Sequence, residues 1–375
     1  MTFVLILPLI IIAALVIEMQ WHKSMIQRIP LRISINGTRG KSSTTQYIVA
    51  GLRAAGKRPL GKITGTEPLL LKPDGKSERI RRWGKPRIQE QMKVVYRAAQ
   101  EGVDVLVAEC MAVSPEYQLI DARIISPQIY VITNILDDHR EQYGGKLDLY
   151  AESICSAIPS NAIVVTSEQT YLPFIKGVAD IRNTRVIVAQ TSRNVDFHPE
   201  IFLSNLDMAV EVCKLVGVDP EIAKNGILRR VDTSDDPDNK KLRHGLRLIN
   251  GLAVNDTVSA QKLLNRWRSK GEGTTILLHT RNDRPLRTLQ FSEWIASLSN
   301  IDKVLLSGSH TFIARRSLQK MGVSGDTIIE MEANSISMLT RGSIKDSTIY
   351  GFGNTGDGGI AMWHELERVL ATPQV

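Results

Sequence analysis

The sequence predicts an α/β protein with a mostly parallel sheet, a smaller C-terminal α/β domain and an N-terminal membrane-anchor helix. Three observations support this prediction. Beyond residue 30, short and nearly continuous apolar segments, typical of buried parallel strands, alternate with segments of helical length. A polar segment containing Pro237, residues 232–241, separates two such sets. An apolar run without charge precedes both sets.

The apolar run, Thr2–Ile17, is extended past the single Glu18 by Met19 and Trp21. A spanning helix needs about 20 apolar residues, and it tolerates an internal proline such as Pro8. The basic n-region and small-residue cleavage site of a signal peptide are not evident. We therefore predict an uncleaved single-pass anchor at residues 1–22; the alternative is a buried core helix. The positive-inside rule places the body in the cytoplasm, because basic residues follow the run: His22, Lys23, Arg28 and Arg32.

The composition of the 375 residues excludes several classes of protein. With 43% hydrophobic and 23% charged residues, the chain is neither disordered nor a multi-span membrane protein. Lysine and arginine exceed the acidic residues by 47 − 39 = 8, which allows an anionic partner. Aromatic residues are only 5%, so we expect no nucleic-acid partner. Cys110, Cys155 and Cys213 are odd in number and scattered, which favours a reducing compartment over a disulfide framework.

Two domains are predicted, a central domain at residues 30–235 and a C-terminal domain at residues 245–375. The expected strands are Leu31–Ile35, Val103–Ala108, Gln128–Thr133, Ala162–Thr166, Leu246–Asn250, Ala253–Val254, Thr275–His279, Lys303–Leu306 and Ser347–Tyr350. The expected helices are Ser43–Ala55, Arg87–Gln100, Phe202–Val216, Glu221–Leu228, Ser259–Ser269 and Leu286–Leu298.

A glycine-rich loop links the first predicted strand to the helix that begins at Ser43. The loop is predicted to bind a nucleoside triphosphate, because glycines let backbone N–H groups point at phosphate oxygens. Lys41 would reach the β- and γ-phosphates, and the Ser42 hydroxyl would bind Mg²⁺. The motif is the shorter G-T-x-G-K-S, since the first glycine of the general pattern would fall at Ile35. The alternative is a glycine turn with a surface lysine. The loop residues are Asn36, Gly37, Thr38, Arg39, Gly40, Lys41, Ser42 and Ser43.

Polar residues follow the next two predicted strands. Glu109 ends the strand Val103–Ala108, and a neighbouring strand-end carboxylate is what a phosphate loop needs to hold its metal ion. The strand Gln128–Thr133 is followed by Asn134 and, shortly after, by Asp138 and His139. We expect this cluster to bind a second Mg²⁺ or a substrate amine. The alternatives are a helix-capping or salt-bridge carboxylate for Glu109 and a satisfied loop histidine for His139.

These strings resemble the Mur ligase superfamily, which joins an amino acid to a carboxylate with ATP. The closer resemblance is to the ATP-dependent ligase subunit of poly-γ-glutamate synthase, and it covers almost the whole chain. The strings that support it are NGTRGKSSTT at 36–45, TGTEPLLLKPDG at 64–75, VAECMAVSPE at 107–116, TNILDDHREQYG at 133–144, VNDTVSA at 254–260, NDRPLRTLQF at 282–291 and GFGNTGDGG at 351–359.

The resemblance implies a P-loop, Mur-ligase-like central domain that uses ATP and Mg²⁺. A glutamate or poly-γ-glutamate carboxylate would become an acyl phosphate, which the amine of glutamate would attack. Ser42, Glu109 and His139 would bind metal, with Asp138 assisting and Lys41 stabilising the transferred phosphate. Further contacts are implied for Asn134, Asn255 and Asp256 to the nucleotide, and for Thr64, Gly65, Thr66, Asp283, Arg284 and Arg287 to the substrate.

Several questions stay open at this stage. Lys146 is the only lysine between His139 and Ile154, so a carbamylated lysine at a second metal is not predicted. Membrane subunits of a synthase and export complex are implied partners, and a homo-oligomer is left open. The rival functions are another Mur-type amino acid ligase, a membrane-tethered P-loop ATPase that energises export, and a non-catalytic nucleotide-binding assembly protein. The strings do not identify the ligated amino acid or its stereoisomer.

A basic run precedes the predicted helix Arg87–Gln100. It could guide a polyanionic product or contact anionic lipid, or it could be an ordinary solvated loop. Its members are Lys76, Arg79, Arg81, Arg82, Lys85 and Arg87.

Overall fold

The computed structural model describes residues 2–65, 68–82, 86–136, 143–144, 146–190, 200–234, 246–254, 256–268, 273–331 and 347–371. The chain divides into two compact units. The first comprises residues 1–198 and 202–230, and the second comprises residues 199–201 and 231–375.

The first unit contains an eight-stranded sheet in the order β4-β3-β2-β5-β1-β6-β7-β8. All neighbouring strands are parallel except β3, which is antiparallel to both β2 and β4. The prediction of a mostly parallel sheet is therefore confirmed. The strands are β1 Leu31–Asn36, β2 Pro59–Ile63, β3 Leu69–Leu71, β4 Ser77–Arg79, β5 Val105–Glu109, β6 Ile129–Ile132, β7 Ile163–Thr166 and β8 Arg185–Val188.

Helices cover this sheet, which is why its central strands are buried along their whole length. On one face, Leu60, Leu106 and Ala108 pack with Val94 and Ala98 of the helix that precedes β5. The helices are α1 Thr2–Gln27, α2 Lys41–Ala54, α3 Gln89–Glu101, α4 Pro115–Ile125, α5 Leu147–Ser156, α6 Leu172–Ile181, α7 Glu200–Leu215 and α8 Pro220–Ser234.

The register of the central strands determines which residues meet at the functional edge of the sheet. Strand β1 lies between β5 and β6, and Ile35 pairs with Glu109 while Asn36 pairs with Ile132. Residues that follow these parallel strands therefore converge at one edge, which we name the carboxyl edge. The opposite edge, where β1, β2, β5, β6, β7 and β8 begin, is named the amino edge.

The second unit contains a fully parallel five-stranded sheet in the order β12-β11-β10-β13-β9. Ile276, Leu278 and Tyr350 pack with Phe291 and Trp294 in its core. The strands are β9 Arg247–Asn250, β10 Gly273–Thr280, β11 Lys303–Gly308, β12 Ile328–Glu330 and β13 Ser347–Phe352. The helices are α9 Thr257–Trp267, α10 Pro285–Ser297, α11 Thr311–Lys320 and α12 Gly359–Ala371, with a 3₁₀ turn at Gly325–Thr327.

Two local predictions are wrong. Ala253–Val254 was expected to be a strand, but the chain turns there, with Val254 N–H donating to Gly251 O. The polar segment expected to begin a loop at Asp232 is helical through Ser234, so α8 ends later than its sequence indicates. The reason in the first case is length, because two apolar residues cannot be distinguished from a buried turn.

Helix α1 runs without interruption from the apolar N-terminal segment into the first unit. Its stretch Leu7–Gln27 is long and apolar enough to cross a membrane. Apolar side chains such as Ile10 and Ile17 are exposed. Met25, in the last turn of α1, and Ile29, two residues beyond its end, are buried in the core. The alternative of a buried core helix is therefore wrong for the apolar part of α1.

Candidate active site

The glycine-rich loop between β1 and α2 depends on two glycines with positive φ. Gly37 has a φ of +121°, and a Cβ at this position would lie 2.2 Å from Thr133 Oγ1. Gly40 has a φ of +78°, and its Cβ would lie 2.5 Å from the side-chain amide of Asn205 in α7. Both positions therefore require glycine, for backbone conformation and for space.

Asn134 supports the loop from the end of β6. Its Oδ1 accepts a hydrogen bond from Arg39 N–H at 2.9 Å, and its Nδ2 donates to Arg39 O at 3.2 Å. Its backbone carbonyl accepts from Thr38 N–H at 2.9 Å. Thr38 Oγ1 in turn accepts from Leu136 N–H at 2.8 Å. The residue that sequence reasoning assigned to the nucleotide thus holds the shape of the loop.

Asn36 fixes the start of the loop and is almost fully buried. Its Nδ2 donates to Gln118 Oε1 at 2.7 Å and to the Tyr130 hydroxyl at 2.6 Å. Its Oδ1 accepts from Gly37 N–H at 2.7 Å. These contacts make Asn36 a bracing residue within the described part of the site.

Lys41 begins α2 and turns back toward the loop. Its Nζ donates to Gly37 O at 2.6 Å and to Thr38 O at 3.2 Å. The helix is capped by Gly40, which brings no side chain to this end. The N–H groups and the dipole of a helix N-terminus attract anions, and Lys41 adds positive charge at this helix end. Ser43 is half-buried on the same helical turn.

Ser42 and Glu109 meet across the carboxyl edge as the sequence predicts. Ser42 Oγ donates to Glu109 Oε2 at 2.8 Å, and Thr64 N–H donates to the same oxygen at 2.9 Å. Gly65 lies beside them, because a Cβ there would be 3.3 Å from Ser42 Oγ. A hydroxyl and a carboxylate are oxygen ligands of the kind that Mg²⁺ prefers. The donor set therefore fits Mg²⁺.

The rest of the predicted metal cluster lies outside the described residues. Asp138 and His139 belong to residues 137–142, and Thr66 and Asn255 are likewise not described. Among the residues that are described, no group of three or more His, Cys, Asp or Glu residues could hold a metal ion.

A buried polar network lies behind Glu109. Gln91 Nε2 donates to Glu109 O at 3.1 Å and to Asp121 Oδ1 at 2.7 Å. Lys62 Nζ donates to Gln91 Oε1 at 2.8 Å and forms an ion pair with Glu90 at 2.8 Å. The network links β2, α3 and α4 to the end of β5, so it positions the backbone that carries the candidate metal ligand.

An open cavity of about 700 Å³ adjoins the same end of β5. It begins two residues after Glu109 and has one cationic side chain, Arg87, above a mostly apolar lining. Its lining residues are Pro86, Arg87, Ile88, Gln89, Met111, Ala112, Val113, Ser114 and Tyr117.

In the second unit, hydrogen bonds join the carboxyl ends of β10 and β11 to the loop that follows β13. His279 Nδ1 lies 2.9 Å from Ser307 Oγ, and its Nε2 lies 3.2 Å from Gly356 O. Arg287 Nη1 donates to Asn354 Oδ1 at 2.8 Å, and both residues are buried. Arg287 is therefore a buried charge and not an ordinary surface arginine.

The other predicted residues of this unit that the structure describes each have local contacts of their own. Asp256 caps α9 by accepting from Ser259 N–H at 2.8 Å. Asp283 is exposed and forms a bidentate pair with Arg281, and Arg284 is the residue before α10.

Known protein families match both the N-terminal and the C-terminal part of the chain. The model of the Mur ligase middle domain matches residues 35–218, and that of the poly-gamma-glutamate synthase CapB C-terminal domain matches residues 238–369. The chain is 31% identical to PGA synthase CapB of Bacillus subtilis, over 90% of this chain and 91% of the relative. It is 32% identical to the capsule biosynthesis protein CapB of Bacillus anthracis, over 90% and 76% respectively.

The chain belongs to the CapB family of poly-γ-glutamate synthases. The resemblance proposed from its sequence strings is therefore confirmed. A solved structure of a bifunctional folylpolyglutamate synthase/dihydrofolate synthase from Yersinia pestis, complexed with AMPPNP and a Mn ion, has a TM-score of 0.66. It shares 16% identity and covers 92% of this chain and 91% of that chain. This likeness confirms the Mur-ligase-like α/β fold.

Sequence reasoning missed several residues that surround the candidate site. Asn205 reaches the loop from a distant helix, and no local pattern marks it. The position of Lys62 could have been recognised from the sequence, because a lysine within a short, otherwise apolar strand must find a polar partner. Gln91 lies on a helix that the sequence predicts, but its role there was not seen, and Asp121 lies on α4, which was not predicted.

Two groups of the buried network have shifted pKa values. Burial raises the pKa of Asp121 to about 6, although the hydrogen bond from Gln91 and the charge of Lys62 oppose the shift. Burial also lowers the pKa of Lys62, against the hydrogen bond and charge of Glu90. The carboxylate of Asp121 thus ionises only at a cost to folding.

Asp121→Asn should change how stability depends on pH. The folded pKa of Asp121 lies above its ordinary value of 3.8, so the folded state holds this proton between about pH 4 and 6. The stability of the folded wild type that depends on this bound proton is fully present below about pH 4 and is lost as pH rises to about 6. The variant should gain about 3 kcal/mol relative to the wild type across this window, since each pKa unit is worth about 1.4 kcal/mol. Urea unfolding in detergent at several pH values measures the difference.

Asp180→Asn, on the exposed surface of α6, controls for the substitution itself. Parallel pH profiles for the wild type and Asp121→Asn would contradict the assignment of this titration to Asp121.

Gly37→Ala should disable the loop. The added methyl would meet Thr133 Oγ1 and Asn134 O, and the φ of +121° disfavours any side chain. We expect at least a hundredfold loss of nucleotide affinity, or loss of folded protein, in titrations with a fluorescent ATP analogue. Gly177→Ala, where a Cβ meets nothing within 4 Å, is the matched control and should bind normally. Normal binding by both variants would show that the loop does not require its glycine.

Proposed function

We propose that this chain is an ATP-dependent amide ligase that makes poly-γ-glutamate. It activates a glutamate or poly-γ-glutamate carboxylate as an acyl phosphate and joins it to the amine of glutamate. The observation that carries this proposal is the pairing of Ser42 with Glu109 beside Lys41, in a chain of the CapB family. The ATP analogue and Mn ion of the Yersinia structure support ATP and a divalent metal ion as cofactors.

The loop residues supply the electrostatic part of the reaction. A carboxylate oxygen attacks the γ-phosphorus, the bond to the ADP oxygen breaks, and the acyl phosphate forms. Lys41, whose Nζ bonds to loop carbonyls, would pair with phosphate oxygens of the bound nucleotide. Ser42 and Glu109 would hold Mg²⁺, which neutralises charge on the transferred group.

Amide formation completes the cycle. The amine of glutamate attacks the acyl carbon, phosphate leaves, and the amine loses a proton. His139 with Asp138 remains our proposed partner for this second half, as metal ligand or orienting group. From the second unit, Asn255, Asp256, Asp283, Arg284 and Arg287 remain proposed nucleotide and substrate contacts.

The cavity beside Glu109 is the proposed site of the poly-γ-glutamate chain whose carboxylate is activated. Its apolar lining suits the methylene groups of a γ-linked chain, and Arg87 suits a carboxylate. Its position two residues past Glu109 supports delivery of the terminal carboxylate to the γ-phosphate. The Thr64–Gly65–Thr66 segment, of which Thr64 contacts Glu109, is a proposed second wall of the substrate site.

The proposed location is the cytoplasmic side of the cell membrane, with α1 as a single-pass anchor. Membrane subunits for elongation and export are proposed partners, because a soluble ligase would not by itself move a polymer across a bilayer. Self-association of this chain is a further proposal.

Lys41→Ala and Glu109→Gln should each abolish phosphate release that depends on glutamate. Loss of one charge-stabilising group typically costs 100- to 1,000-fold in rate. Phosphate is measured in membranes supplied with ATP, Mg²⁺ and single labelled amino acids, together with label in polymer. Lys176→Ala, on the exposed face of α6, should retain full activity.

The same assay separates the rival functions. Phosphate release without an amino acid would favour the membrane-tethered ATPase. Release stimulated by a different amino acid would favour another Mur-type ligase. Unchanged activity in Lys41→Ala would sink the proposed mechanism.

Arg87→Gln should weaken binding of the poly-γ-glutamate chain whose carboxylate is activated. We expect its KM to rise about fivefold with kcat nearly unchanged, the factor for an exposed ion pair of about 1 kcal/mol. Arg81→Gln is the matched control, because Arg81 is exposed in the same basic run but does not line the cavity. Equal effects of both substitutions on KM would indicate general charge attraction. No effect of either substitution would show that Arg87 does not bind the poly-γ-glutamate chain.

A further inference from the structure

The anchor helix joins the first unit at the amino edge of its sheet. His22 Nε2 lies 3.0 Å from Ile124 O, in the last turn of α4. Arg32 Nε donates to Ser126 O, just beyond that turn, at 2.9 Å. Ile29 is buried two residues before β1 begins. Because α4 ends where β6 is about to start, these contacts all lie at the amino edge.

The junction between the apolar segment and this edge is short and fixed. Ile17 is 69% exposed and belongs to the apolar segment, whereas His22 already bonds to α4. Five helical residues span about 7.5 Å. The Trp21 ring also packs on Tyr96 of α3, with ring centroids 5.0 Å apart. A bilayer around the apolar segment would therefore bring lipid headgroups to the amino edge.

The charges of the amino edge match such a surface. We counted the last turn of each helix from α1 to α6 and the connection from it to the following strand. Three acidic residues lie in these segments: Glu101, Asp104 and Asp180. Six basic residues lie there: Arg28, Arg53, Lys57, Arg58, Arg123 and Arg182. Each basic residue near an anionic bilayer contributes about 1 kcal/mol.

We propose that the amino edge of the first unit lies on an anionic lipid surface and that the phosphate loop faces away from it. The proposal rests on the proposed anchor but not on the ligase reaction. Strand β1 separates the two edges by six residues, or about 20 Å.

Most of the described residues of the basic run noted in the sequence lie at the carboxyl edge. Strand β4 is parallel to β2, since both are antiparallel to β3. The residues after Arg79 therefore continue toward the carboxyl edge, where Arg82 forms a bidentate pair with Glu90. Arginines of this run therefore serve as control positions when charges of the amino edge are tested for lipid binding.

Two exposed glutamines on α3 report which edge faces the lipid. Gln89 begins the helix at the carboxyl edge, and Gln100 lies near its end at the amino edge, about 16 Å along the axis. Gln89→Cys and Gln100→Cys in the full chain are labelled with a fluorophore and reconstituted into vesicles of anionic lipid carrying a headgroup quencher. Background labelling is low because Cys110, Cys155 and Cys213 are buried and burial raises the pKa of each thiol.

The expected result is at least twofold stronger quenching at position 100 than at position 89. Equal quenching, or stronger quenching at position 89, would overturn the proposal. Alkaline carbonate extraction is run on the same vesicles. Release of the chain would overturn the anchor and this proposal together, whereas a retained chain with reversed quenching would overturn the orientation alone. Both outcomes are separate from the phosphate-release assay.

Charge variants test the lipid chemistry. Arg28→Gln, Lys57→Gln and Arg123→Gln are combined in the Gln100→Cys chain, and Arg79→Gln, Arg81→Gln and Arg87→Gln form the control triple. Quenching is compared between anionic and zwitterionic vesicles. The amino-edge triple should lose the preference for anionic lipid and the control triple should keep it. Equal behaviour of the two triples would contradict a specific amino-edge surface.

Discussion

The candidate site depends on how closely the loop after β1 approaches the end of β6. Gly37 leaves no room for a Cβ beside Thr133, and Asn134 then holds the backbone of Thr38 and Arg39 from that strand end. Because β1 is flanked by β5 and β6, one close contact positions Lys41 and Ser42 opposite Glu109. A side chain at position 37 would disturb all of these positions at once.

The sequence predicts the parts of this site that lie on one strand and the loop after it. Lys41, Ser42 and Glu109 follow from motif and strand order, because parallel strands bring their carboxyl ends together. Lys62 and Gln91 could not be placed this way, since their partners come from separate elements. Strands were similarly predicted where an apolar segment continues over several residues, whereas Ala253–Val254 was too short to distinguish from a turn.

The buried network behind the site carries a desolvation cost, because it removes charged side chains from water. Lys62 and Asp121 are both removed from water, and burial lowers the pKa of the first and raises that of the second. Gln91 lies between them and also donates to the backbone of Glu109. Replacing Lys62, Gln91 and Asp121 by apolar side chains would remove this desolvation cost. It would also remove the hydrogen bond from Gln91 to Glu109 O, which fixes the end of β5.

The proposed orientation also bears on how an acidic polymer can be made beside an acidic membrane. Charges are screened over about 8 Å at physiological ionic strength. The phosphate loop lies about 20 Å from the amino edge along β1, which exceeds two such lengths. An anionic chain held at the carboxyl edge would therefore experience little repulsion from the lipid. Basic residues at the amino edge would attract the bilayer, and Arg87 at the opposite edge would attract the product, so the same net charge of +8 serves two separate anions.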